Sequence, residues 1–168
     1  MVRPVLNTME KNSKGILTCV LIIPLVFLLN LFITPTNPWI VSLIQALMIG
    51  GAIMSFFGFY RHWFKSKEIA EYIGWTSNGF QKEIAAVSLG ICIAAVISAF
   101  VVDFGFWLAT SIVYACFLWG CAINHFKEKT RGNKNTGNSG LILYWDIIYP
   151  IALLCLILVY GYLAFGVF

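Results

Sequence analysis

The sequence predicts an all-α integral membrane protein: a four-helix core with an N-terminal transmembrane helix before it, five spans in all. Three observations carry this. Of 168 residues, 60% are hydrophobic and only 11% are charged, whereas soluble domains carry about 25% charged residues. The apolar residues form runs near the roughly 20 residues that a bilayer-crossing helix requires. All eleven Lys and Arg residues lie in three polar segments outside those runs. A net charge of +4 distributed this way sets topology and gives no nucleic-acid signal.

The elements follow in order. Residues 1–14 are a polar leader carrying Arg3, Lys11 and Lys14, and residues 15–168 form one bundle domain. The first run, 15–33, is longer than the roughly 7–15 residues of a signal-peptide core. No small-x-small cleavage pattern follows it, so a retained helix is expected, with Pro24 tolerated inside the membrane. "TPTNPW" at 34–39 is an uncharged turn in which Asn37 suits a cap, Pro38 a first helical position and Trp39 a headgroup boundary. The second span, 39–60, presents Gly51, Ser55 and Gly58 on one small-residue face for helix contact.

The loop 61–83 contains "KEIAEYIGW", with Ile69, Tyr72 and Ile73 on one helical side and Glu68 and Glu71 on another. This predicts a short amphipathic helix at the membrane interface. "TSNGFQKE" reads as a helix start, with Asn78 as cap, Gln81 three residues on and Glu83 in the first turn. In the third span, 84–102, Ala86, Gly90, Ala94 and Ser98 recur every four residues and predict a packing face. Asp103 fits the cap of a tight hairpin into the fourth span, 104–123. A second polar loop, 124–140, leads to the last span, 141–167, with Tyr144, Trp145 and Tyr149 expected as boundary aromatics.

Counted by side, the leader holds three basic residues and each of the two large loops holds four, leaving none in the opposite turns. The positive-inside rule then places the N-terminus inside and the C-terminus outside, in the cytoplasmic (inner) cell membrane. The five cysteines, Cys19, Cys92, Cys116, Cys121 and Cys155, all fall in apolar runs and are expected as small buried hydrophobes.

The polar residues beside the spans gather on the predicted cytoplasmic side. Asp146 lies about 7 Å into the last helix if that helix starts at Leu141, and Pro150 cannot donate to its carbonyl. A carboxylate and a freed carbonyl on one turn need partners, and an ionisable group at membrane depth is a functional candidate. His62 and His125 end spans two and four, while Glu71 and Glu83 lie in the loop between spans two and three. The expected site is a polar pocket around Asp146, with His125, His62, Glu83 and Glu71 beside it and Gln81, Asn138 and Tyr144 as hydrogen-bond partners. Each has a plain structural reading too: histidines at headgroups, Glu83 answering a helix dipole, Asp146 at the boundary. No Walker, GxGxxG, HExxH, GxSxG or haem-attachment pattern occurs, so no cofactor, metal or catalytic centre is expected.

The order of "RHWFKSKEIAEYIGWTSNGFQKEIAAVSLG", "AINHFKE" and "GNSGLILYWDIIYP" resembles an uncharacterised family of small prokaryotic membrane proteins. That family is a domain of unknown function, distantly similar to DoxX-like four-helix proteins. The matching positions are His62, Glu71, Gly74, Trp75, Phe80, Gln81, Glu83, His125, Gly137, Asn138, Gly140, Tyr144, Asp146 and Pro150, within residues 56–150. The sequence departs at "TSNG", where the family has a Pro and a Ser-Pro pair, and at Asn124, where a Gly precedes the second His. The resemblance implies a bundle and shared polar positions, and no activity. The expected partners are membrane lipids and a small polar ligand, lipid headgroup or proton. The other reading is an accessory subunit docked on another membrane protein, or on a second copy of the chain, through its small-residue faces.

Overall fold

A computed structural model describes residues 2–33, 38–132 and 141–166, with side chains from Leu17 in the first helix, Cys19 apart, and from Ile142 in the last. Among these residues every regular element is helical: α1 (Val2–Ile33), α2 (Trp39–Phe64), α3 (Ser66–Ile73), α4 (Phe80–Phe100), α5 (Phe104–Thr130) and α6 (Leu141–Phe165). Four stretches, Trp39–Phe64, Phe80–Phe100, Phe104–Thr130 and Ile142–Phe165, are long and apolar enough to cross a membrane. The chain is a multi-pass membrane protein. In α1 the described apolar stretch, Val20–Ile33, is shorter than these four.

The helices outrun their apolar cores. The polar leader is already helical from Val2, α2 continues through Arg61 and His62, and α5 extends through Lys127 and Lys129. Outside hydrocarbon a helix needs only propensity and side-chain support to continue, so hydropathy marks the span and not the helix.

α2 is the hub, with α1, α3, α4 and α6 all packing on it, while α5 packs chiefly on α6. Two adjacent glycines permit this. A Cβ on Gly50 would lie 2.7 Å from Ile23 of α1, and one on Gly51 would collide with the ring of Tyr114 and the hydroxyl of Tyr149. In the space left by Gly51, Tyr114 of α5 donates to the Gly51 carbonyl at 3.1 Å, and Tyr149 of α6 donates to the Leu47 carbonyl at 2.7 Å. The two tyrosine rings meet edge-on with centroids 5.4 Å apart. Further along α2, Gly58 admits Ser88 of α4, so the expected face of Gly51, Ser55 and Gly58 is a contact surface.

The α4–α5 hairpin closes as expected on Asp103, whose carboxylate accepts from Phe106 N at 2.6 Å. Fully buried Trp107 donates to the Ser98 carbonyl at 2.7 Å, and Ser98 and Thr110 join at 3.2 Å. These bonds satisfy polar groups where lipid offers no alternative. At the other end of α4, Asn78 accepts from Phe80 N at 3.0 Å, while Asn37 lies outside the described residues. Pro38 precedes α2 rather than opening it.

Four expectations are corrected. In α4 the residues facing the bundle are Gln81, Ala85, Ser88, Ile91, Ala95 and Ser98. Ala86 and Gly90 are exposed, and a Cβ on Gly90 would meet nothing within 4 Å. A strict four-residue repeat advances about 400° per step and drifts about 40° around a 3.6-residue helix, so only Ser98 reaches the inner face. Tyr149 is no boundary aromatic: it is buried with Asp146, Leu153 and Ile157 on the inner face of α6. The cysteines are not uniformly buried, since Cys92 and Cys121 are half-buried and Cys116 and Cys155 lie on the outer surface, where lipid solvates a thiol as well as a core does. The apolar face of α3 is taken up by protein: Ile69, Tyr72 and Ile73 pack with Trp75 and Ile142.

The glycines give a paired test. Gly51→Ala should destabilise the bundle by about 1–3 kcal/mol through overpacking, read as a lower thermal midpoint in detergent. Gly90→Ala should leave that midpoint unchanged or raise it. A neutral Gly51→Ala would contradict the hub contact.

Candidate functional site

The same end of the bundle holds the C-termini of α2 and α5 and the N-termini of α4 and α6, and the polar residues converge there. On α5, Tyr114, Leu118, Ala122 and His125 are all buried and follow one helical face. On α6, Asp146 shares the face of Tyr149 and Leu153. Because α5 and α6 run antiparallel, these two faces oppose each other and bring His125 Nε2 to 4.0 Å from Asp146 Oδ2. Both residues are more than nine-tenths buried, at 8% and 6% exposure. The gap is about 1 Å beyond hydrogen-bond contact and at the edge of ion-pair range.

Trp75 stands against the His125 side of this pair. Gly74 ends α3 in the left-handed conformation at φ 85°, with its N–H bonded back to the carbonyls of Ala70 and Glu71. The reversal, which glycine adopts without Cβ strain, carries Trp75 onto His125. Their rings stack with centroids 6.3 Å apart and planes 15° apart. His62 lies near the C-terminus of α2, and its Nδ1 is buried with no hydrogen-bond partner among the described residues. Cys121, half-buried, stands one turn before His125 on α5.

Not all expected site residues join this group. Glu71 is exposed on α3, and Tyr144 is exposed on α6, two residues and about 200° around the helix from Asp146. Asn138 lies outside the described residues. Gln81 and Glu83 line a neighbouring cavity of about 680 Å³ between the α3–α4 connection, α4 and α5, which also has Trp75, Asn124 and Glu128 in its wall. Gln81 is 2% exposed, and its Oε1 accepts from Ser77 at 3.3 Å. Its Nε2 is buried with no partner among the described residues. Among the described residues no three His, Cys, Asp or Glu side chains are grouped to hold a metal ion.

The connection carrying Trp75 is pinned from both sides. Lys65 pairs with Glu68 at 2.9 Å, and that hydrogen bond, with the nearby negative charge, raises the Lys65 pKa above its ordinary value. Lys82 donates to the Trp63 carbonyl, and its ammonium lies 4.4 Å from the Trp63 ring centroid, which ties the start of α4 to the end of α2. Trp75 and Cys121 are the neighbours of the pair that residue types alone do not single out. The available signals are the four-residue spacing of Cys121 and His125 on one helix, and the place of Trp75 just after a helix-ending Gly.

The chain belongs to DUF6790, a family of unknown function, whose model matches residues 13–163. The match takes in most of α1 as well as the four long apolar helices. No curated protein and no solved structure matches the chain.

If Trp75 shields His125, Trp75→Ala should speed carbethoxylation of His125 by diethyl pyrocarbonate severalfold in the detergent-solubilised protein, read by peptide mass spectrometry. The rate at His62 serves as the internal reference. An unchanged His125 rate would show that the indole does not cover the ring.

Proposed function

We propose that this family member is a proton-responsive membrane protein whose working part is the buried His125–Asp146 pair. The single observation behind this is the pairing itself: an imidazole and a carboxylate from different helices, both buried, 4.0 Å apart in an apolar bundle. Ionisable groups at membrane depth are costly and are retained mainly where they bind or move something. A shared proton is the smallest ligand that such a pair takes. Its gain or loss changes the charge on the ring beneath Trp75, and through Gly74 the position of α3. With α1 as a fifth span and the basic loops inside, the pair lies on the cytoplasmic side of the cell membrane. The likeness to DoxX-like bundles is fold-level analogy and adds no chemistry to this reading.

Infrared difference spectroscopy tests it. As pH falls, the carboxylic-acid C=O signal should contain a component that is lost in Asp146→Asn and shifts its midpoint in His125→Gln. Trp75 fluorescence should follow the same transition, since a protonated imidazole quenches a stacked indole, and His125→Phe should remove that component. No Asp146-dependent band over the range in which the protein stays folded would sink the proposal.

A second reading, an accessory or assembly subunit, draws on one observation: the Ala86–Gly90 part of the small-residue stripe faces outward, with open space over Gly90. Small residues let helices approach closely in lipid. A Cys placed at Gly90 in a background lacking the native cysteines should then cross-link to one defined partner in native membranes. Diffuse labelling by lipid-soluble reagents, with no discrete adduct, would count against it.

A further inference from the structure

Trp75 has two neighbours of different kinds. It is stacked on His125, and it also forms part of the wall of the cavity between the α3–α4 connection, α4 and α5. Asn124 and Glu128, one residue before and three after His125 on α5, line that cavity too, while His125 does not. The indole therefore stands between the cavity and the imidazole.

The indole has the freedom to turn. Its stack on His125 is loose, with centroids 6.3 Å apart, against 4.4 Å for Trp145 on Tyr149, so the two rings share little surface. The main chain beneath it is anchored, because the Trp75 N–H donates to the Ala70 carbonyl at 2.8 Å behind the left-handed Gly74. Residues 75–78 are not helical, so no preceding helical turn crowds the side chain, and the indole changes rotamer without moving α3. The cavity, at about 680 Å³, has room for the ring. What holds the ring in its resting place is the apolar cluster of Ile69, Tyr72, Ile73 and Ile142, which makes the turned-out position a minor state.

We infer that Trp75 is a gate: its indole swings from His125 into the cavity, and that swing is what opens the buried imidazole to solvent. The inference rests on the reading of the His125–Asp146 pair as the group served. Gating of this kind sets how fast the pair exchanges with solvent and leaves its affinity to the pair itself.

Filling the cavity in the detergent-solubilised full chain tests the gate. Asn124→Phe and Val87→Phe each place a ring in the cavity from a different helix, and both positions are exposed, so the bundle tolerates them. Ile123→Phe places a ring on the outer surface of α5, outside the cavity. Each cavity variant should slow carbethoxylation of His125 by diethyl pyrocarbonate severalfold, with the rate at His62 as reference, and Ile123→Phe should leave it unchanged. The same ratios are expected in an Asp146→Asn background, so the gate stands or falls whether or not the pair shares a proton. Fluorotryptophan labelling supplies a second measurement. The fluorine resonance lost in Trp75→Phe should exchange between two environments, and the cavity variants should suppress that exchange. Wild-type modification of His125 in both cavity variants, or a single unexchanging environment for Trp75, overturns the inference.

Discussion

The bundle depends on what is missing at Gly50 and Gly51. In lipid there is no water to drive apolar helices together, so close approach and hydrogen bonds between helices must do it. Two consecutive glycines in a helix cost about 1 kcal/mol each relative to alanine, and α2 carries them at its centre. Gly50 opens one side to Ile23 of α1, and Gly51 opens another to Tyr114 and Tyr149. The tyrosine hydroxyls then reach main-chain carbonyls that already serve the helix but retain a second lone pair. One helix can therefore be approached from several directions.

The polar site follows from that junction by helical periodicity. On α6, Asp146 stands three residues before Tyr149, so turning Tyr149 toward α2 also turns Asp146 inward. On α5, Tyr114, Leu118 and His125 share one face, so seating Tyr114 against Gly51 directs His125 to the same interior. The proximity of His125 and Asp146 is thus fixed by contacts made deeper in the bundle. Pro150 fits the same logic, since it is fully buried and the helix passes through it unbroken to Phe165. Its missing N–H leaves the Asp146 carbonyl without the usual helical donor at the one turn where a polar environment already exists.

The positions of four spans, the Asp103 cap, the amphipathic α3 and the nearness of Asp146 to a histidine were all legible in the sequence, because each is marked by a polar residue or a break in hydropathy. The direction in which each span faces was less legible. In a soluble helix the apolar stripe points to the core, but a span is apolar all round, so Tyr149, Gly90 and Cys116 give no clue by type. The polar residues inside the spans do discriminate: Gln81, Ser88, Ser98, Thr110, His125 and Asp146 are all buried. Polar groups avoid lipid, and their 3.6-residue spacing on α4 defines the inner face that the small-residue repeat at four-residue intervals obscures.

Trp75 borders both polar regions. The indole stacks on His125 and also forms part of the wall of the cavity that holds Glu83 and Glu128. Its backbone is set by the Gly74 reversal and by α3, whose apolar face rests against Trp75 itself and Ile142 of α6. Trp75 also belongs to a small apolar cluster at the end of the bundle, so its place is tied to the packing of α3 against α6. Contact with the indole is therefore the route by which a change of charge at His125 would reach α3.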